Sequence, residues 1–313
     1  MNSALQIIFA GSGEFGSPTL RMLVDGGFEV VQVYTQPDRP AGRGKKLTPT
    51  PIAQLASELG LPLVRTADIN AEPLPAADLL LVIAFGQKIG EAAVGHSRLG
   101  SVNLHASRLP LYRGAAPINW AIIRGEQITG NSVIRLASRM DSGAILGQSE
   151  LAIGPVETAG ELHDRLATDG TALVRRVIEE IVTGTVVERE QDHAAATIAP
   201  KLSRESAVLD WSQPAAAIAR RINGLSPWPG CRVQLVDADG TVVGRITLLR
   251  ARAVEAGESK QEPGRLTDSG TAGAGDGGAV EILDVQPEGK RPMSLNDYRR
   301  GNRWAAGLVI QSS

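Results

Sequence analysis

Asn103 and His105 stand two residues apart, and on an extended chain that spacing turns an amide and an imidazole toward one face. Two such groups can converge on one oxygen of a bound substrate and stabilise charge developing there. The plainer alternative is a half-buried strand that happens to carry polar residues. Against it stands position: Asn103-Leu104-His105 falls where a strand of a parallel sheet would end, and open α/β sheets bind ligands at the carboxyl ends of their strands. Downstream, Arg113-Gly114-Ala115-Ala116-Pro117 reads as a tight loop entering a helix. Asp141 lies in Met140-Asp141-Ser142-Gly143, a turn between two strands. A carboxylate beside an imidazole favours the charged form of the ring.

The elements that must hold these groups are legible as alternating period-two and helical segments. Strands are expected over Leu5–Ala10, Phe28–Tyr34, Leu79–Ala84, Ser101–Leu104, Val133–Leu136 and Ala144–Leu151. Helices are expected over Glu14–Asp25, near Gln87–Val94, over Ala115–Arg124 and along Thr158–Thr183. Such alternation predicts an α/β fold, a Rossmann-like and mainly parallel sheet covered on both faces. Beyond it the texture changes. The chain divides into a catalytic domain at 1–189, a polar, alanine-rich linker at 190–206 and a smaller β-barrel domain at 207–313. In that last part a helix at Ala215–Asn223 precedes short β signals at Arg232–Val236, Val242–Ala251 and Val280–Val285. Residues 255–278, rich in Gly, Ser, Asp and Glu, are expected to form a mobile loop.

One motif misleads. Gly11-Ser12-Gly13-Glu14-Phe15-Gly16 follows a strand and opens a helix, as a dinucleotide fingerprint does. That fingerprint also needs an acid at the end of the second strand to hold a ribose. Here the strand ends Val33-Tyr34-Thr35-Gln36, and Asp38 comes only after Pro37. The better reading is structural: glycines for a tight turn, with Ser12 or Glu14 capping it.

Composition narrows the class further. A formal net charge of −2 gives no global argument for nucleic-acid binding, although a local basic patch can still act. The single cysteine, Cys231, excludes an internal disulfide framework and any multi-cysteine metal site, and reads as a packing residue. No run approaches the length of a membrane span, and the N-terminal apolar run lacks a preceding basic region; a cytoplasmic protein is expected.

Taken together, Asn103-x-His105, Ser107-Arg108-Leu109-Pro110, Arg113-Gly114-Ala115-Ala116-Pro117 and Asp141-Ser142-Gly143 resemble the folate-dependent formyltransferases. The resemblance implies that Asn103, His105 and Asp141 are catalytic and that no metal is required. It also implies that Ser107, Arg108, Leu109, Pro110, Phe85, Gly86 and Gln87 border the folate of 10-formyltetrahydrofolate, the formyl donor. Arg108 stands where the family has a leucine. Lys201-Leu202-Ser203, Asp210-Trp211-Ser212 and Pro227-Trp228-Pro229 resemble the entry to the family's OB-like C-terminal domain.

The acceptor is suggested by Thr35 to Leu47, which places Arg39, Arg43, Lys45 and Lys46 among prolines and glycines. Most charge runs are solvated faces, but this compact patch suits a phosphate backbone. It resembles the tRNA-contacting loop of the branch whose acceptor is initiator methionyl-tRNA, and the tail adds Lys290, Arg291, Arg299, Arg300 and Arg303. A monomer is expected. The rivals are an amino-sugar formyltransferase, which Asn119-Trp120 and Arg139 to Ile145 resemble somewhat, and a tRNA-binding protein without catalysis. If the basic segment contacts phosphate, Lys45→Ala weakens binding of charged initiator tRNA and lowers the salt slope by about one unit. An unchanged slope in a salt titration removes the segment from the interface.

Overall fold

The computed structural model describes residues 4–41, 44, 46–255, 262–267 and 270–312. They form two compact units that interleave along the chain. One comprises Met1–Gly114, Gly130–Leu151 and His163–Ile198; the other comprises Ala115–Thr129, Ala152–Leu162 and Ala199–Ser313. Among the described residues no helix is long and apolar enough to cross a membrane.

The first unit is built on a seven-stranded sheet. Its order is Ile145–Gln148, Ser132–Arg135, Ser101–His105, Leu79–Ile83, Gln6–Gly11, Glu29–Thr35 and Leu63–Arg65. The five strands from Ser101–His105 to Leu63–Arg65 run parallel, Ser132–Arg135 runs against them, and Ile145–Gln148 pairs antiparallel with Ser132–Arg135 at the edge. Leu79–Ile83 is buried at every residue, as a central parallel strand covered on both faces must be. Leu104 faces the long helix Ala159–Thr183, where Gly170 leaves room for its side chain. Asn103 pairs with Val82 and so lies on the opposite face, whose core is Ile8, Ala10, Tyr34, Ile69, Leu80, Val82 and Phe85.

The tight turn after the first strand has a steric cause. A Cβ on Gly11 would lie 2.7 Å from the Phe9 ring and 2.9 Å from the Ile83 carbonyl oxygen. Neither Ser12 nor Glu14 caps the short helix that follows; its N-cap is Gly13, with no side-chain hydrogen bond. Elsewhere helix ends carry caps. Thr158 and Glu161 bond each other's backbone N–H groups at the start of the long helix, and Pro117 and Gly125 bracket the helix Pro117–Arg124.

Several expectations need correction. The helix near Gln87–Val94 is only Glu91–Val94, because Gln87 is drawn into bonds with Ile69 and Thr66. A helix at Pro51–Glu58, a strand at Leu63–Arg65 and a hairpin pairing Arg39–Ala41 with Lys46–Thr48 were not foreseen. The stretch 255–278 is not simply a mobile loop: within it, Thr271–Gly273 is a ladder strand.

The second unit holds an antiparallel sheet ordered Thr271–Gly273, Ala279–Pro287, Val242–Val254, Cys231–Val236, Val309–Ser312, with Met293–Ser294 also pairing Ala279–Pro287. Its two edge strands are joined by one short segment. Arg265 bridges to Val309 and Leu266 bridges to Ala272, which curls the sheet into an OB-like barrel. Cys231 is fully buried in this core, and burial pushes its thiol up to about 12, as befits a packing residue. The helix Ala215–Gly224 is tied to the barrel by Asn223, whose amide accepts from the Ala251 N–H at 2.8 Å and donates to the Ala251 carbonyl at 2.9 Å. Asn223→Ala leaves both groups unpaired in the core and is expected to cost about 2–4 kcal/mol. Chemical denaturation of the variant measures this; a loss within experimental error refutes the assignment.

Candidate active site

Strand register brings His105 beside Ser132 and Asn103 beside Ile134. His105 is 7% exposed. Its Nε2 lies 2.9 Å from the Tyr112 carbonyl oxygen. A carbonyl can only accept, so Nε2 carries the hydrogen and donates. The other ring nitrogen, Nδ1, faces Asp141 Oδ2 at 3.7 Å, beyond hydrogen-bond length. Asp141 Oδ2 accepts from the Gly114 N–H at 2.8 Å. The Asn103 amide is half-buried on the same face as His105 and has no hydrogen-bond partner among the described residues.

The chain brings Asp141 to His105 by a detour. Leu136 leaves the sheet beside Ser101, at the far end of the His105 strand, and the loop returns along it. At Asp141 the backbone turns left-handed, with φ of 52°. Tyr112 does the same, with φ of 62°, and so presents its carbonyl to the ring. Tyr112 is itself held by Thr197, whose hydroxyl accepts from the Tyr112 N–H and whose carbonyl accepts from the Arg113 N–H. Left-handed conformations outside glycine are uncommon and cluster at functional sites.

Behind this turn lies a buried polar network. Arg113 is 4% exposed, and burial together with the charge of Arg139 lowers its pKa, against the opposing pull of Asp141. Its guanidinium donates to Gln191 Oε1 from Nε at 3.0 Å and from Nη2 at 2.5 Å, and Nη2 also reaches His193 Nδ1 at 2.9 Å. Gln191 Nε2 then donates to the carbonyls of Asp141 and Gly143, both at 2.8 Å. Gln191 lies in the segment read from sequence as a linker, and nothing in its periodicity marked it. Nor did sequence mark Tyr112, whose contribution is a backbone carbonyl.

The turn Ser107 to Pro110 follows the His105 strand and is fixed by its neighbours. Ser132 Oγ donates to the Ser107 carbonyl at 2.7 Å and accepts from the Leu109 N–H at 3.0 Å. Gln148 Nε2 donates to the Leu109 carbonyl at 2.9 Å. Leu109 is buried against Ile134 and Ile145. Arg108 points its charge at Glu150, 3.0 Å away. Phe85, Gly86 and Gln87 follow the adjacent parallel strand. Gln36 Nε2 donates to the Phe85 carbonyl at 2.8 Å and crowds Gly86, whose φ is 74°. The Gln87 amide is engaged at both ends by Ile69 and Thr66, which fixes the shape of the loop.

Of the cations expected to meet phosphate, Arg39 is exposed and bonds Gln36, and Lys46 is exposed on the facing strand of the hairpin. Arg43 and Lys45 lie outside the described residues. In the second unit Lys290, Arg291 and Arg299 are exposed, while Arg300 and Arg303 pair with Asp297 and Asp237. Asn119 and Trp120, the residues nearest the amino-sugar branch, are explained by packing there: they donate to the carbonyls of Gly224 and Pro200.

Two N–H groups at the head of the glycine motif are already taken. Ser12 and Gly13 both donate to the Ala84 carbonyl, and Ser12 Oγ bonds the Phe85 carbonyl. Among the described residues no group of three His, Cys, Asp or Glu side chains could hold a metal ion.

Residues 5–178 match the formyl transferase family, and residues 201–303 match the formyl transferase C-terminal domain. A methionyl-tRNA formyltransferase of Geobacter metallireducens is 36% identical over 98% of this chain and 99% of its own. One from Methylobacterium nodulans is 40% identical over 98% and 99%. Among solved structures, an N-formyltransferase from Helicobacter canadensis in complex with folinic acid and dTDP-3-aminofucose gives a TM-score of 0.65. At 15% identity over 90% of this chain and 99% of that one, the likeness is one of fold.

Since the backbone donors at Ser12 and Gly13 are already occupied, millimolar NADH or NADPH is expected to leave the thermal midpoint unchanged. A concentration-dependent rise in a thermal-shift assay would falsify the structural reading of the motif.

Proposed function

We propose, since this chain belongs to the formyl transferase family and within it to the methionyl-tRNA formyltransferases, that it moves a formyl group from 10-formyltetrahydrofolate to the α-amino group of initiator methionyl-tRNA. Residues 1–189 carry the chemistry, 190–206 connect, and 207–313 face the tRNA. It acts as a monomer in the cytoplasm.

The observation that carries the reading is the state of two donors at the end of one strand. His105 Nε2 is taken by Tyr112, whereas Nδ1 sits 3.7 Å from a carboxylate and the Asn103 amide is unengaged among the described residues. Nδ1–H and the Asn103 amide then point at one oxygen from one face of the strand. That oxygen is the formyl oxygen of the donor.

The amine nitrogen attacks the formyl carbon, and the carbonyl π electrons move onto oxygen. Asn103 and His105 stabilise the resulting oxyanion, with Asp141 holding the charge and angle of the ring. As the intermediate collapses, the bond to N10 of the folate breaks. N10 takes up the proton that the new amide nitrogen gives away. An α-amino group has a pKa of roughly 7.7–8.0, so a useful fraction is neutral near pH 7 and no strong base is needed. The turn Ser107 to Pro110 with Phe85, Gly86 and Gln87 borders the folate, while Arg39, Arg43, Lys45 and Lys46 guide the acceptor stem.

The direct test incubates the protein with 10-formyltetrahydrofolate and charged initiator tRNA and looks for formylmethionyl-tRNA by mass. A nucleotide amino sugar serves as the competing acceptor; preference for the sugar overturns the tRNA assignment. His105→Ala and Asn103→Ala are each expected to lower kcat by about 10²–10³ while tRNA affinity is retained. Equal turnover in wild type and His105→Ala ends the oxyanion mechanism.

A further inference from the structure

Asp141 is useful only if its carboxylate stays beside His105, and its own backbone does not favour that placement. With φ of 52° it occupies a left-handed conformation, and the carboxylate is steered on one side by the Gly114 N–H. On the other side the turn itself must be held. Gly143 adds a constraint: a Cβ there would lie 1.9 Å from the Arg135 carbonyl oxygen, so the turn is packed against its own strand.

We infer that Gln191 is a positioning residue for the reaction, acting through Asp141. Its amide is the link between a buried cation and the backbone of the Asp141 turn. Oε1 accepts twice from the Arg113 guanidinium, which fixes the amide so that Nε2 must face the turn. Nε2 then donates to the carbonyls of Asp141 and Gly143, clamping the Asp141–Ser142 and Gly143–Ala144 peptide units. The polarity admits no reversal. A guanidinium only donates and a carbonyl only accepts, so the group between them must offer both an acceptor and a donor, which an amide does and a carboxylate does not. Glutamate could satisfy Arg113 but would set a carboxylate oxygen against two carbonyls. Gln191 is 5% exposed, so water cannot easily replace a lost bond. The charged groups of this cluster are Asp141, Arg113 and Arg139, and Gln191 sets the distance of the first from the imidazole.

The inference rests on the formyl-transfer reading for its kinetic consequence, and its structural consequence can be read without it. In Gln191→Ala, and equally in Gln191→Glu, the NMR signals of the His105 ring at one fixed pH are expected to move from their wild-type positions, as the carboxylate drifts from Nδ1. Unmoved signals overturn the proposal even if the protein proves to formylate another acceptor. In the formylation assay both variants are expected to lose about ten- to a hundredfold in kcat, with KM for both substrates unchanged. In the Asp141→Asn background the same change is expected to cost nothing further, and an additive loss excludes action through Asp141. Inactivity of the wild type toward charged tRNA refutes the acceptor and leaves the NMR comparison to decide on Gln191.

Discussion

The hydrogen bond from His105 Nε2 to the Tyr112 carbonyl is the constraint on which the site depends. It fixes the tautomer of the ring, because one nitrogen must carry hydrogen to satisfy a group that can only accept. The other nitrogen becomes the only ring atom able to serve a substrate. The price is a left-handed Tyr112, about 1–2 kcal/mol for a residue with a Cβ. Thr197 holds that conformation from both sides of the peptide.

The same device recurs. Among the described residues, the non-glycine residues with positive φ are Ala84, Tyr112 and Asp141. Ala84 turns its carbonyl toward Ser12 and Gly13, Tyr112 turns its carbonyl toward His105, and Asp141 turns its carboxylate toward Gly114 and the ring. Each is a local conformation that propensity disfavours, maintained by hydrogen bonds from distant parts of the chain. A parallel sheet rigid enough to be buried on both faces supplies the frame against which those bonds act.

What the sequence revealed follows from which interactions leave a periodic trace. Asn103 and His105 were legible because a strand alternates, so spacing alone puts them on one face. The mainly parallel sheet was legible for the same reason, and the Asp141 turn through its Asp-Ser-Gly signature. Gln191 was not, because a side chain that bonds Arg113 across 78 residues leaves no pattern near itself. The hairpin of Arg39–Ala41 and Lys46–Thr48 was hidden by Pro40, which reads as a breaker yet is tolerated in a short two-stranded ladder. Thr271–Gly273 and the bridge at Arg265 and Leu266 were masked by a glycine-rich composition, although closure of the barrel depends on them. The glycine motif at 11–16 read as structural from the sequence, for want of an acid after the second strand, and the Ser12 and Gly13 N–H groups are indeed held by the Ala84 carbonyl.

The long reach of the Arg113–Gln191 contact also orders events in time. The chain leaves the ribosome from its N-terminus, and the strands through Gln148 are all synthesised before Gln191 exists. A nascent chain at that stage can pair its sheet and align Asn103 and His105 on one strand face, but the Thr197 bonds that hold Tyr112 and the clamp on Asp141 have still to arrive. Contacts of such sequence separation form late, because loop closure must precede the bonds that reward it. On the role proposed for Gln191, competence for chemistry is thereby uncoupled from formation of the sheet. It comes only when a segment outside every strand of that sheet folds back onto it.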